Sequence, residues 1–419
     1  MILSNRYLVG SGVGIFLGLC TTLVASDPTV INFNDLKSLV MKQNGGVAVA
    51  KLQVDGADSR AQFIHRSRGG QVSISMGVDA LHSSELASGR VQPVGGIEAV
   101  VPVYRGGQDD ADDSIQQIEI SLAQLRQYRE LATQLGAAQV AYWHIAYAEE
   151  MIRNSQQILV QISQSYRSAQ RRFQRGLIPS SDLMVFEIYK DQLTEQLESF
   201  RHEKAITTIR LKAILGLSES ESVQVNAGLL PHVHDELVVR DVTTTFTFRE
   251  AELNSRMTLL KRDKTLGKLR PSVELLGRYT LYNEADRPLS SWNDRGESLV
   301  GARLNLMLWD GQQMGALVDA DGHDVRAAEL ELTTQRRVIA AELDATREEL
   351  VHLHELIHGS EQRVAKSRRL LQTIIQDYDR GVKDSTDVLA TLQMVAQVQS
   401  TYAQQRWEYQ LKAAKRQTL

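Results

Sequence analysis

The chain repeats itself at a fixed distance. Phe173 to Leu183 reads aromatic, any residue, Arg, Gly, three spacers, Ser, Ser, Asp, aliphatic, and Tyr378 to Val388 reads the same 205 positions later, with Thr for the second Ser. Gly96 to Gly106 aligns with Gly301 to Gly311 at that same offset, so Gly106 to Gly176 and Gly311 to Gly381 are both steps of 70 residues. Loops drift in length after a duplication, whereas two rigid rods whose ends must coincide do not. The chain is therefore built on two equal rods, each closed by a Gly-x5-Asp turn.

The rods carry their own signature. Leu131, Ala138, Ile145, Ile152, Leu159, Tyr166 and Phe173 recur every seven residues, as do Leu343, Leu350, Ile357, Val364, Leu371 and Tyr378. A strict seven-residue stripe drifts around a straight helix, so such helices supercoil against partners. Seventy residues at ~1.5 Å each give a rod of roughly 105 Å. Gly176 and Gly381 suit the left-handed residue that ends a helix, and Ser181-Asp182 and Thr386-Asp387 suit the cap of the next one.

Before each rod the period switches from helical to two. Val72, Ile74, Met76 and Val78 alternate with polar or small residues, and Ile97, Ala99, Val101 and Val103 follow a Ser-rich loop from Leu81 to Gln92. In the second half Val273, Leu275, Tyr279 and Leu281 alternate with Ser272, Glu274, Arg278 and Thr280; past the loop 283–296, Val300, Ala302, Leu304, Leu306 and Leu308 do the same. Strands of about 9–11 residues cross a bilayer at a tilt. A soluble hairpin packed on a core would look the same locally. The helices between the hairpins have already committed their apolar stripes, which leaves that core unprovided.

Composition agrees. Seven prolines, 6% aromatics and a net charge of −4 favour long helices and argue against nucleic acid as a partner. Arg6, the apolar or small run Tyr7 to Val24 and the small residues Val24-Ala25-Ser26 read as a secretory signal over 1–26, and the single cysteine, Cys20, lies inside it. A lipidated Cys20 fits poorly, because in Leu17-Gly18-Leu19-Cys20 the bulky Leu19 sits where a small residue is wanted. The organisation expected is a first repeat over 27–216 (hairpin about 71–104, long helix about 108–175, return helix about 181–215) and a connector over 217–244. A second repeat follows over 245–419 (hairpin about 271–309, long helix about 312–380, return helix about 386–415).

Four membrane-grade strands cannot close a barrel alone, because open sheet edges are not tolerated in lipid and closed barrels start at about eight strands. Cyclic symmetry allows two copies or three. Eight strands leave an interior filled by side chains. Glu98, Glu274, Arg278 and Arg303 on the non-lipid face favour a water-filled lumen, hence three copies and twelve strands. The fold class expected is mainly α with a transmembrane β-barrel contribution.

Hairpin, ~70-residue rod and Gly-x5-Asp turn, duplicated in one secreted chain, resemble the TolC-like outer membrane efflux proteins over about Ile31 to Leu419. The resemblance implies a homotrimer with a twelve-stranded barrel in outer membrane lipid, continued by an α-helical tunnel across the periplasm. It further implies docking on an inner-membrane transporter through a periplasmic adaptor, in a tripartite efflux or type I secretion system. In that family the tip turns form a constricted entrance. The matching residues here are Asp182, Tyr378, Lys383 and Asp387, with Gly176, Ser181, Gly381 and Thr386 in the adaptor-docking tips. Lys383 stands where Arg is usual, and Ala390 where the family has a second acid, which implies a looser latch and a weaker cation ring. By their own chemistry Asp182 and Asp387 also fit helix N-caps, Tyr378 the last residue of its stripe, and Lys383 a solvated turn.

His354-Glu355-Leu356-Ile357-His358 matches the zinc-protease pattern H-E-x-x-H. It falls mid-rod, the first rod has Glu149, Glu150 and Arg153 there, and no third ligand follows. Adventitious zinc, with His352, is the stronger metal reading. His232-x-His234 reads as a solvated loop pair, and no nucleophile–base arrangement, nucleotide motif or cofactor motif is present. Two alternatives to a non-enzymatic duct are thus a soluble periplasmic coiled-coil scaffold and, far behind, that protease.

Overall fold

The computed structural model describes residues 29–81, 90–218, 221, 223–226, 241–282 and 296–418. The leader with Cys20, most of the connector with His232 and His234, and the two long hairpin loops lie outside the described residues. In chain order, β1 (Thr29–Ile31) leads to α1 (Leu36–Gln43) and α2 (Gly45–Arg66). The hairpin of β2 (Gln71–Leu81) and β3 (Arg90–Arg105) precedes α3 (Gln108–Gln174) and the return helix α4 (Ser180–Leu215). β4 (Val223–Val225) pairs in parallel with β1. The second half gives α5 (Phe246–Gly267), β5 (Ser272–Tyr282), β6 (Gly296–Asn305), α6 (Gln313–Arg380) and α7 (Ser385–Thr418).

The rods α3 and α6, 67 and 68 residues long, run past two other tiers of helices. Toward the strands the side-by-side order is α2, α3, α5, α6; toward the turns it is α4, α3, α7, α6. The sheet runs β2-β3-β5-β6, all antiparallel. Each of these layers is open. β2, α2 and α4 bound one margin, and β6 and α6 bound the other.

Where the two tiers meet, the backbone is tied down. Asn44 separates α1 from α2 with an extended backbone, and its Oδ1 accepts the Val47 N–H at 3.0 Å as the cap of α2. Its Nδ2 donates to the Ile214 carbonyl at 2.7 Å, which fastens this joint to the end of α4. The largest core lies here, with Leu36 and Val40 against Tyr142, Trp143, Ile145, Leu211 and Leu215. Asn44, rather than the expected break at Gly45-Gly46, interrupts the helix; both glycines sit in the first turn of α2.

The seven-residue stripe holds in one rod and shifts in the other. In α6, Leu350, Ile357, Val364, Leu371 and Tyr378 are all buried, and Leu343 at the far end is partly so. In α3, Ala138 and Ile145 are buried, but Ile152, Leu159 and Tyr166 are only partly so and Phe173 is exposed. Met151, Ser155, Ile158, Ile162, Ser165 and Ala169 are buried instead, at alternating steps of four and three. The cause is the number of neighbours. α6 packs on α7 alone at this level, whereas α3 is gripped by α4 on one side and α7 on the other. A helix held from two sides buries its deepest stripe between them.

The sheet has two unlike faces. Val72, Ile74, Met76 and Val78 pair across to Ala99, Ile97, Gly95 and Pro93, and this face continues through Leu275, Gly277 and Tyr279 to Val300, Ala302 and Leu304. Among the described residues nothing covers it, and Val72, Ile74, Met76 and Val78 are each at least 68% exposed. The other face carries Ser73, Glu98, Arg278, Glu274 and Arg303. A bulge between Pro102 and Tyr104 brings Tyr104, not the expected Val103, opposite Val273. β3 starts at Arg90, inside the stretch expected as loop. β6 stops at Asn305, short of the expected 309, because its partner β5 begins at Ser272 and offers nothing further to pair with.

Candidate functional site: the tip turns and the strand wall

Both rods end in the same hydrogen-bond pattern. Gly176 N donates to the Phe173 carbonyl at 2.8 Å and Leu177 N to Arg172 at 3.0 Å; Gly381 N donates to Tyr378 at 3.0 Å and Val382 N to Asp377 at 2.9 Å. This double closure needs a left-handed residue, and the two glycines take φ of 73° and 82°. The next helices start within a few residues, so each turn is a tight tip that leaves Leu177 and Val382 exposed.

Asp182 and Asp387 are not the caps they were read as. The cap of α7 is Asp384, whose Oδ1 accepts the Asp387 N–H at 2.8 Å; α4 starts after the extended Pro179, which has no side chain to cap with. Both aspartates sit three positions past the cap, in the first turn, where the positive end of the helix dipole favours a carboxylate. Asp182 receives the Ser181 hydroxyl at 3.4 Å. Asp387 is 3.2 Å from Lys383 Nζ, and because both side chains are about two-fifths exposed (41% and 39%) the pair is screened. Such a pair contributes ~0–1 kcal/mol.

Tyr378 is 1% exposed and is the largest fully buried side chain among the described residues. It packs with Phe186, Tyr189, Val388 and Leu392, and its hydroxyl lies 3.5 Å from Ser385 Oγ. The Arg172 guanidinium stacks 4.3 Å from its ring centroid and donates to the Tyr378 carbonyl, while Ser168 donates to Asp379 at 3.3 Å. These contacts tie the end of α3 to the end of α6. Sequence reasoning missed Arg172 and Ser385. Arg172 lies beside the stripe, and only its place in the last helical turn, where a cation is favoured, marks it. Of the residues expected at the site, Tyr378, Lys383 and Asp387 gather on the second turn, while Asp182 stays with the first. Gly176, Ser181, Gly381 and Thr386 are all exposed at the tips. Nearby, burial pushes the Tyr189 phenol above its ordinary range, and the Tyr166 phenol is raised by donating to Glu187 at 2.6 Å.

At the other end of the molecule, the polar face of the sheet is stitched by ion pairs across strands. Arg278 meets Glu98 at 2.8 Å and Arg303 meets Glu274 at 2.9 Å, each pair directly opposite in register. Leu276 on this face is 6% exposed. The sheet thus has one apolar face and one that carries the charged pairs.

No protein-family model matches the sequence, and no curated protein matches it. Solved structures do. The outer membrane protein VceC from Vibrio cholerae superposes with a TM-score of 0.75 at 14% identity, over 91% of this chain and 94% of that one. The outer-membrane channel OprN gives 0.79 at 15% identity, over 92% and 89%. The open-state MtrE outer membrane channel of Neisseria gonorrhoeae gives 0.73 at 12%, over 92% and 88%. The chain has the TolC-like channel fold.

The H-E-x-x-H match sits on α6. His352, His354, Glu355 and His358 are exposed near the middle of α6, and Ile357 between them is turned into the core. Among the described residues no group of three or more His, Cys, Asp or Glu side chains is placed to hold a metal ion.

Proposed function

We propose that the chain is the outer membrane exit duct of a tripartite efflux or type I secretion system. It is a passive homotrimer that spans the outer membrane with a twelve-stranded barrel and the periplasm with a helical tunnel. The observation that carries this is the shared openness of every layer: sheet and both helix tiers end on the same two margins, and the sheet is apolar outside and charged inside. Copies joined margin to margin close all three layers at once. Three copies leave a lumen wide enough to hydrate Glu98, Arg278, Glu274 and Arg303, whereas two would fill it with side chains. A periplasmic adaptor and an inner-membrane transporter supply the drive, and the chain itself carries out no catalysis. Purified from membranes in detergent, the protein should have the mass of three chains and conduct ions in planar bilayers. A monodisperse single chain recovered in the soluble periplasmic fraction would establish the scaffold reading instead.

In this reading Asp182, Lys383 and Asp387 constrict the periplasmic entrance while the buried Tyr378 latches the rod ends behind them, and the tips around Gly176, Ser181, Gly381 and Thr386 meet the adaptor. Asp387 is held by a single exposed lysine, so its charge remains available to ions. Asp387→Asn should lower the preference for cations, read as a shift of reversal potential in a salt gradient; an unmoved potential would leave Asp387 with a helix-stabilising role only. Asp182→Ala and Tyr378→Ala should each raise single-channel conductance. Tyr378→Phe should change little, because the hydroxyl contact with Ser385 is at the limit of hydrogen-bond length and the ring supplies the packing.

A further inference from the structure

Midway along the rods, α3 and α7 are joined by stacked rings. Trp407 of α7 lies over His144 and Tyr147 of α3, with ring centroids 4.9 and 5.0 Å away. His144 is also tied to its own return helix, α4, by Glu203 at 2.7 Å and Thr207 at 3.4 Å. The internal repeat gives each residue of the stack a counterpart 205 positions away: His144 corresponds to Glu349, Tyr147 to His352 and Trp407 to His202. The correspondence holds in space. His144 beside Thr207 becomes Glu349 beside Lys412, a pair observed at 2.6 Å. Three rings in one repeat have become two imidazoles and a carboxylate in the other.

Within one chain these three groups do not meet. Glu349 and His352 lie on α6 and His202 on α4, the two helices that bound opposite margins at this level, and all three side chains are exposed. We propose that Glu349, His352 and the partner's His202 together bind a divalent transition ion of the zinc class. The site rests on the duct reading, in which α6 of one copy lies against α4 of the next as α3 lies against α7. It is incomplete without the second copy. Among the described residues of a single chain, no three His, Cys, Asp or Glu side chains converge on an ion.

The donor set fits such an ion. Glu349 and His352 stand at i and i+3, so both side chains rise from one face of α6. Two imidazoles and a carboxylate are an established three-ligand set for zinc, with the fourth position left to water. The space fits too. Trp407 and Tyr147 fill their joint with large rings, whereas a histidine in each place is shorter and leaves a gap between the donors. An ion that holds its ligands at ~2.0–2.1 Å occupies that gap. Lys412 competes for Glu349, but the two side chains are about half exposed (41% and 50%), and a screened pair of this kind yields readily to a metal. The H-E-x-x-H histidines are not part of the site. His354 and His358, two and six residues beyond His352, point to the other side of a helix with about 3.6 residues per turn.

The test titrates zinc against a competing chelator, on full-length protein purified in detergent through a tag that contains no histidine. The assembly should bind about one zinc per chain. His202→Ala and His352→Ala should each weaken that binding at least about tenfold, since even an outer-shell partner is worth that much. His358→Ala should leave it unchanged. The mass of each variant, measured alongside, reports whether it has assembled, and His202→Asn replaces His202→Ala if that variant does not. Coexpressing His202→Ala chains with His352→Ala chains then shows which copy supplies each ligand. Every chain now lacks one ligand, yet about a quarter of the joints in randomly mixed trimers set an intact α6 against an intact α4, and binding should return there. Binding that survives both substitutions, binding lost with His358→Ala, or no recovery in the mixed assemblies would each overturn the site and leave a trimeric duct standing. A protein with the mass of a single chain would overturn the duct reading and the site together.

Discussion

Ile74→Arg should all but eliminate the protein from the outer membrane, while Ser73→Arg, one residue earlier, should leave it there. Both positions lie on β2, and both are exposed in the single chain. Their register separates them. Ile74 is opposite Ile97 on the apolar face; Ser73 is opposite Glu98 on the charged face, where a new guanidinium would meet an existing carboxylate. An arginine on the lipid face of a barrel costs about 2–4 kcal/mol near the bilayer midplane. Three copies incur it three times, whereas a charge toward a hydrated lumen is nearly neutral. In water the order would invert, because removing an exposed isoleucine from a soluble sheet is harmless or helpful. Membrane fractionation of the two variants therefore tests the environment of the sheet directly. Equal recovery in the membrane would mean that no lipid covers this face.

The second large effect lies at the joint between the helix tiers. Gly216 ends α4 with φ of 71°, and a Cβ there would stand 2.3 Å from the Gln43 carbonyl oxygen and 2.8 Å from its carbon. Backbone cannot swing aside as a side chain would, so Gly216→Ala must push α1 away from Leu211 and Leu215. The left-handed conformation costs an alanine ~1–2 kcal/mol, and forced overpacking adds ~1–3 kcal/mol. Gly176 has nearly the same φ, 73°, but a Cβ there meets nothing within 4 Å. Gly176→Ala should then lose only the conformational part, ~1–2 kcal/mol. Urea titrations of the detergent-solubilised proteins would show this as a clearly larger drop in midpoint for Gly216→Ala. A Gly216→Ala midpoint no lower than that of Gly176→Ala would mean that α1 is not packed on the end of α4 as described.

The tip aspartates illustrate how far local chemistry carries. Ser or Thr followed by Asp after a glycine reads as a cap from propensity alone, yet the turn leaves room for Asp384 to reach the Asp387 N–H first, and Pro179 takes the equivalent place in the other repeat. A turn's path decides which of several adjacent polar residues becomes the cap. The bulge at Val103 is a similar case. Alternation of apolar residues continues through it unbroken in the sequence, and only the pairing with β5 reveals the extra residue.

By itself the sequence determined the two equal rods, their turns and the two alternating hairpins. Those features depend on spacing along one helix or one strand, and spacing survives in a linear string. The tertiary structure decided which stripe of α3 is buried, where β6 ends, and that Arg172 binds the rod ends together through Tyr378. Each of these depends on what stands beside an element: two neighbours rather than one, a partner strand that has stopped, a guanidinium arriving from a helix about two hundred residues away. Burial and pairing are properties of neighbours, and a duplicated sequence places its two copies in unlike company.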